Sequence, residues 1–332
     1  MKKTLIAVSL SALAAGSANA AVTLNETETG SFSTYGKINL QLQNKDAVNQ
    51  IQDNGSRFGF SGESVINEDM KAFANAEFRF NAGYKNDTAP TVRYSYAGVE
   101  GGFGKVTAGN FDSVYYTAVA SSHDILEAVG YDSLDNKGEG FSLAYETLDL
   151  NGLKVLVGLR HFSEGDGTYP ADSLQDTDDD GVADSGTGDE AWNAQVAATY
   201  ALSEELSLGV AFDQNNEDTS LGGADPIIGA SINYSADAFG AFTELENSGD
   251  IMMLNVGGNF SYGAGDVYGL VAYRDNGTDT GMDLAVGANY NLNDDFYVYS
   301  EFAQGNDDNS TGDLQVAGEG VSVVSLGAVY NW

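Results

Sequence analysis

The chain of 332 residues has no cysteine, three prolines, two histidines and only 14 basic side chains against 49 acidic ones. Each shortage excludes something. Without cysteine there is no disulfide framework, so an exported chain must draw its stability from elsewhere. With so little proline and as many as 41 glycines, strands and tight turns are favoured over loops stiffened by proline. Past the first twenty residues no apolar run approaches the roughly 20 residues that a membrane helix needs. So acidic a chain repels nucleic acid and anionic lipid and attracts cations.

The start of the chain reads as a leader. Met1-Lys2-Lys3 is a positive end, Leu5 to Ala15 is a short apolar stretch, and Ala18-Asn19-Ala20 is a small-x-small cleavage site. A signal peptide at 1–20 is therefore expected, with a single domain over 21–332. Losing Lys2 and Lys3 takes the net charge from −35 to −37.

The end of the chain is more telling. In Val324-Ser325-Leu326-Gly327-Ala328-Val329-Tyr330-Asn331-Trp332 every second residue is apolar or aromatic. A period of two is a strand with one apolar face. Two aromatics at the very terminus suit a membrane interface, where amphipathic rings collect, so Tyr330 and Trp332 are read as interface aromatics.

The same alternation recurs in 32–43, 56–65, 70–80, 92–99, 104–110, 139–148, 153–162, 191–201, 206–214, 227–235, 238–246, 251–262, 267–274, 282–291, 296–304 and 320–332. The separators take turns. Short ones stand at 66–69, 100–103, 149–152, 202–205, 236–237, 263–266 and 292–295. Longer, often acidic ones stand at 44–55, 81–91, 111–138, 163–190, 215–226, 247–250, 275–281 and 305–319. Short turns on one rim and long loops on the other give an all-β fold, a transmembrane barrel of sixteen antiparallel strands. Closure is forced, because lipid offers no water to an unpaired edge. Sixteen strands enclose an aqueous channel, so the alternate residues stay polar and no apolar interior needs filling. In 191–201, Trp192, Ala194, Val196, Ala198 and Tyr200 are expected to face lipid, and Asn193, Gln195 and Thr199 the lumen. A soluble two-sheet sandwich explains neither the terminal aromatics nor the two classes of connection.

Several segments resemble the general diffusion porins of Gram-negative outer membranes. They are Tyr35-Gly36-Lys37, Ser56-Arg57-Phe58-Gly59-Phe60-Ser61-Gly62-Glu63, Val92 to Val99 with Gly104 to Asn110, and the ending Tyr330-Asn331-Trp332. The resemblance implies short periplasmic turns, long extracellular loops, and a homotrimer set in outer-membrane lipid and lipopolysaccharide. It also implies a third long loop, here 111–138, that folds into the lumen and constricts it. By position, Lys37, Arg57 and Arg93 would form the basic side of the constriction and Asp112, Asp124 and Glu127 the acidic side. Arg79 lies on a neighbouring strand with its phase unassigned. One further arginine of the family, on the strand after the third loop, has no counterpart in Phe141-Ser142-Leu143-Ala144. That gap tilts the expectation toward cations. Function is then passive diffusion of ions and small hydrophilic solutes. A substrate-selective channel, for sugars among others, and an adhesion barrel acting through acidic loops are the alternatives.

Two motifs point elsewhere. Asp176, Asp178, Asp180 and Asp184 are spaced as calcium ligands around Gly181, but Thr187 stands where the bidentate glutamate belongs. Weak calcium binding, or bridging of divalent ions to lipopolysaccharide phosphates, is weighed against a plain acidic surface loop. No other cofactor is implied. Ser121, Ser122, His123 and Asp124 gather triad residue types, yet neighbours in sequence cannot face one another in triad geometry. No enzyme activity is expected.

Overall fold

In the computed structural model the described residues are 21–45, 48–83, 89–130, 133–135, 141–162, 191–215, 225–305 and 322–332. The leader, the Asp176–Asp184 motif and most of the longest acidic loops lie outside them.

The strands are β1 (Val22–Thr27), β2 (Gly30–Lys45), β3 (Val48–Asp53), β4 (Arg57–Asn67), β5 (Met70–Arg79), β6 (Thr91–Gly101), β7 (Gly104–Asn110), β8 (Phe141–Glu146) and β9 (Leu153–Phe162). They continue as β10 (Ala191–Ala201), β11 (Leu206–Asp213), β12 (Ile227–Ala236), β13 (Phe239–Ser248), β14 (Ile251–Ser261), β15 (Asp266–Asp275), β16 (Thr280–Asn291), β17 (Phe296–Gly305) and β18 (Ser322–Asn331). One short helix, α1 (Val114–Ala118), lies between β7 and β8. Each strand pairs antiparallel with the next, except that β3 and β4 both pair with β2, and β18 returns to β2 from Val323↔Lys45 to Asn331↔Lys37.

Eighteen strands make sixteen rows. β3 and β4 form one row beside the long β2, which pairs with β3 over 40–45 and with β4 over 30–37. β1 lies along 30–34 of β2, just past the point where Trp332 and Gly36 exchange backbone hydrogen bonds. The expected first long loop, 44–55, is corrected. Its residues continue the ladder to Lys45↔Val48, because Gln41, Gln43, Gln50 and Gln52 fall at alternate positions on one face and extend the hairpin. The row breaks instead at Asn54-Gly55-Ser56. Asp53 accepts the N–H of Gly55 (2.9 Å) and Ser56 (3.0 Å) there, and Gly55 takes φ +79°, a left-handed value that costs glycine little.

The alternation resolves into two surfaces. Ile38, Leu40, Leu42, Val196, Leu326 and Tyr330 are exposed on the outside, where lipid covers them. Their neighbours Asn39, Gln41, Gln195 and Ser325 are buried on the inside. Asn193 faces inward and Trp192 outward, as the pattern in 191–201 implies. Tyr330 and Trp332 stack at 6.4 Å between ring centres at the short-turn rim.

The expectation of an interior without apolar filling is corrected in one half. The lumen side of β9–β18 carries Leu156, Ala197, Ala211, Ile227, Leu270, Ala272, Ala285, Ala303 and Val323, buried under the loop that follows β7. Where the loop packs onto the wall the strand residues are mostly apolar and many are small, with carboxylates set among them. A face left to water need not be apolar.

Candidate functional site: the lumen and its third loop

The chain leaves β7 at Asn110 and turns into the barrel. Ser113 caps α1 by accepting the Tyr116 N–H (2.8 Å), which satisfies a donor that the helix start leaves unpaired. Val114, Tyr115, Ala118 and Val119 then pack against Leu156, Ala197, Ala211 and Ile227. The approach is close enough to require glycine on the wall. A Cβ at Gly209 would strike the Ala118 carbonyl, and one at Gly229 the Tyr115 ring and hydroxyl. Further on, Ile125, Leu126 and Val129 cover Phe242, Leu270 and their small neighbours.

Carboxylates of the wall fasten what packing leaves loose. Glu301 accepts the backbone N–H of Glu127 (2.5 Å) and Ala128 (2.7 Å) and the Tyr268 hydroxyl (2.7 Å). Glu246 accepts the Leu134 N–H (2.6 Å) and the Ser133 hydroxyl (2.9 Å). His123 Nδ1 lies 2.5 Å from Glu244 Oε2, with both side chains buried. Asp135, on the loop, accepts from Ser113 (2.6 Å) and from Gln195 (3.0 Å), and Gln195 also donates to Asp213. Burial pushes the Asp135 carboxyl well above the usual range. Arg160 opposes that push and Asp213 adds to it.

The six residues singled out for the constriction fall into three places. Lys37 Nζ lies 3.7 Å from Glu127 Oε2, with side chains 10% and 12% exposed. Glu127 also accepts from Tyr297 (2.5 Å), and its carbonyl takes a hydrogen bond from Asn54 at the β3–β4 break. Lys37 and Glu127 thus latch the loop tip to the wall. Arg57 and Arg93 stand together on β4 and β6. Asp112 lies beside them on the same side, accepting the Tyr94 hydroxyl at 2.5 Å. Asp124 accepts from Tyr116 (2.7 Å) within the loop. The sequence-adjacent Ser, His and Asp do not converge, since His123 turns to Glu244 and Asp124 to Tyr116.

Two more residues belong to this row: Arg79, whose phase the sequence left open, and Glu77, which the sequence reading missed. Arg79 is opposite Arg57 in register, which fixes its phase as inward. Glu77 sits among the arginines, with Oε1 2.6 Å from Arg93 Nη1 and 3.6 Å from Arg57 Nε. A β-bulge makes this possible. Glu77 pairs with Tyr94 and Phe78 with Val92, so Arg93 is the extra residue of β6. The bulge turns Arg93 and Tyr94 to the same side. The guanidinium lies over the Tyr94 ring, 4.1 Å from its centre. A broken alternation was the available signal: Arg93, Tyr94 and Tyr96 do not fit one period of two. Arg160, on β9, stands opposite Ser142, where the sequence offered no arginine, but it is 1% exposed and lies under the loop near Asp135.

Below, toward the short-turn rim, inward charges alternate from strand to strand. Lys71 contacts Glu63 (3.3 Å) and Glu100 (3.0 Å), Lys105 pairs in register with Glu100 and Glu146, and Lys154 contacts Glu146 (2.9 Å).

The profile of the Gram-negative porin family matches residues 7–310. Two Halomonas proteins, named monosaccharide porin and, in Halomonas elongata, major outer membrane protein, are each 25% identical to this chain over 96% of it and 99% of their own lengths. Among solved structures, an anion-selective porin from Comamonas acidovorans superposes with a TM-score of 0.68 at 18% identity, covering 91% of this chain and all of that one. The outer-membrane protein OmpT of Vibrio cholerae in its trimer form gives 0.64 at 15% identity, covering 92% and 100%. With a closed sixteen-row barrel, an apolar belt outside and an inward-folded third loop, the chain belongs to the Gram-negative porin family and forms a solute-diffusion channel of the outer membrane.

Proposed function

We propose that this porin passes small hydrophilic solutes by passive diffusion, prefers cations, and works as a homotrimer. Its narrowest section would lie between the third loop and the inner face of β2–β6. One observation carries the cation preference: Glu77 is set into the arginine row, within ion-pair distance of both Arg57 and Arg93. Glu77 thus offsets part of the positive charge of Arg57 and Arg93, Arg79 stays in the row as a third guanidinium, and Lys37 is taken up by Glu127. Asp112 and Asp124, both part-exposed on the third loop, add negative charge to the gap, while Asp213, Glu244, Glu246 and Glu301 lie buried beneath the loop and outside it. In a narrow wet gap the net sign of the lining sets ion preference. Charges beyond about 8–10 Å are screened at physiological salt, so these groups outweigh the distant loops. The resemblance to an anion-selective porin in fold leaves this sign open, because the fold fixes the barrel and the side chains fix the field.

A reversal potential in a salt gradient tests it. The native channel should show cation preference. Glu77→Gln should move the potential toward anions, and Arg57→Ala combined with Arg93→Ala should move it further toward cations. If neither change moves it, these residues do not line the controlling section.

Trimer formation is supported by the outer face of β4–β7, where Gly62, Ala74, Ala76, Ala97 and Ala108 form a shallow hollow rimmed by Phe32, Phe60 and Phe141. Small residues let a second barrel approach closely. A detergent-corrected mass three times that of the chain is expected. Cleavage after Ala20 would give a mature terminus at Ala21, which amino-terminal sequencing reads directly. Calcium at Asp176, Asp178, Asp180 and Asp184 lies outside the described residues.

A further inference from the structure

The wall beside the start of the third loop holds an alcove of about 220 Å³, lined by Tyr94, Tyr96, Phe111, Asp112, Thr107 and Lys105 among others. The rings form a continuous group. Phe73 and Tyr96 meet edge to face at 6.4 Å, Tyr96 and Phe111 at 5.9 Å, and Lys105 Nζ lies 5.2 Å from the Phe73 ring centre. On the lipid side such rings would need no explanation. These residues face the lumen, where aromatic surface gains from a partner with an apolar face of its own.

We infer that this alcove binds one neutral pyranose ring in passage, a reading that rests on the diffusion-channel assignment and adds a solute class to it. The ring's C–H face would lie on Tyr96 and Phe111. Its hydroxyls would donate to Asp112 and accept from Thr107 and Lys105. Asp112 takes the Tyr94 hydroxyl through one oxygen, and a carboxylate offers about four lone-pair sites, so acceptor capacity is left. The mixture of Asp112, Lys105 and the neighbouring Glu146 favours no single ionic sign, which disfavours a simple anion or cation as the occupant. The size favours a single ring, since sites for drug-sized ligands start near roughly 300 Å³. One aromatic cluster on one wall gives weak, fast binding, as a diffusion channel requires.

Single-channel conductance of the purified protein in planar bilayers, titrated with D-glucose, tests this. Glycerol at matched viscosity serves as the ringless control. Glucose should lower the open-channel current along a saturating curve, while glycerol lowers it linearly. Tyr96→Ala and Phe111→Ala should each raise the half-blocking glucose concentration by about fivefold, the scale of one aromatic contact, and Tyr96→Phe should keep it close to native. Each variant is read against its own sugar-free current. A linear fall with glucose, equal to that with glycerol, overturns the inference, as does saturating block by phenylalanine without block by glucose. The native titration decides this even where an alanine variant fails to insert. No current steps in salt alone would overturn the channel assignment instead, and so the two failures are told apart.

Discussion

The two halves of the barrel's inner surface follow different rules. From β2 to β8 the inward residues are polar or aromatic, and the charges among them are mostly paired: Arg57 and Arg93 with Glu77, Lys71 with Glu63 and Glu100. From β9 to β18 they are small apolar residues and buried carboxylates, and the loop lies over them. Both halves obey the alternation that a membrane barrel demands, since both present an apolar outer face. The inner face is free to vary, and its composition records what covers it. Water leaves paired ions. A folded-back segment calls for alanine, glycine and acceptors for its backbone N–H groups.

The contrast is most sharply broken at Glu301. Glu301→Ala leaves the N–H groups of Glu127 and Ala128 and the Tyr268 hydroxyl without their acceptor. Each orphaned buried donor costs about 1–3 kcal/mol. The loop tip should lift, and the conductance step should rise and become noisy. The midpoint of unfolding in denaturant should fall further than for Gly229→Ala or Lys71→Ala. Gly229→Ala comes second. Its Cβ meets the Tyr115 ring, and overpacking of this kind costs about 1–3 kcal/mol. Higher conductance is expected with less loss of stability, because the hydrogen bonds at Glu301 and Glu246 survive.

Much of the outer logic was legible in the sequence. The limits of β7, β9 and β10 follow directly from the alternation, as do the seven short turns. β1 was not legible, since Val22–Thr27 is too short to show a pattern beside the leader. Nor was β3, whose polar alternation reads as loop when only apolar residues are scored. For the site, motif resemblance pointed to Arg57 and Arg93 but not to Glu77, because a carboxylate within a basic row is visible only when register places it there. The wall carboxylates were illegible for the same reason. Glu246 and Glu301 look like ordinary lumen charges until the loop's backbone is set against them.

Acidity offers a gentler probe of the covered half. Asp135 is held by Ser113 and Gln195 and faces Asp213 and Arg160. Burial raises its protonation point above the roughly 3.9 of a free aspartate. Between those two values the folded protein binds more protons than the unfolded chain. Stability from this group is therefore greater at low pH and falls as pH rises through that window. Protection of the amides at 133–135, the exchange rate taken relative to the unfolded-chain rate at the same pH, should be greater at pH 5 than at pH 8, and Asp135→Asn should flatten the difference. An opposite slope would mean that Arg160 outweighs burial.

The smallest effect belongs to the open half and tests whether its ion pairs differ in kind from those under the loop. Lys71 contacts Glu63 and Glu100 with its side chain 38% exposed. Exposed pairs of this sort contribute about 0.2–1 kcal/mol, because water already solvates both partners. Lys71→Ala should thus shift the unfolding midpoint slightly in dilute salt and not at all near 1 M, where the screening length shrinks to about 3 Å. The loss at Glu301→Ala should persist in both, since its partners are backbone groups shut away from the electrolyte. If Lys71→Ala proves costly and insensitive to salt, the lower charge ladder is a structural brace rather than a wetted surface, and the division between the two halves does not hold.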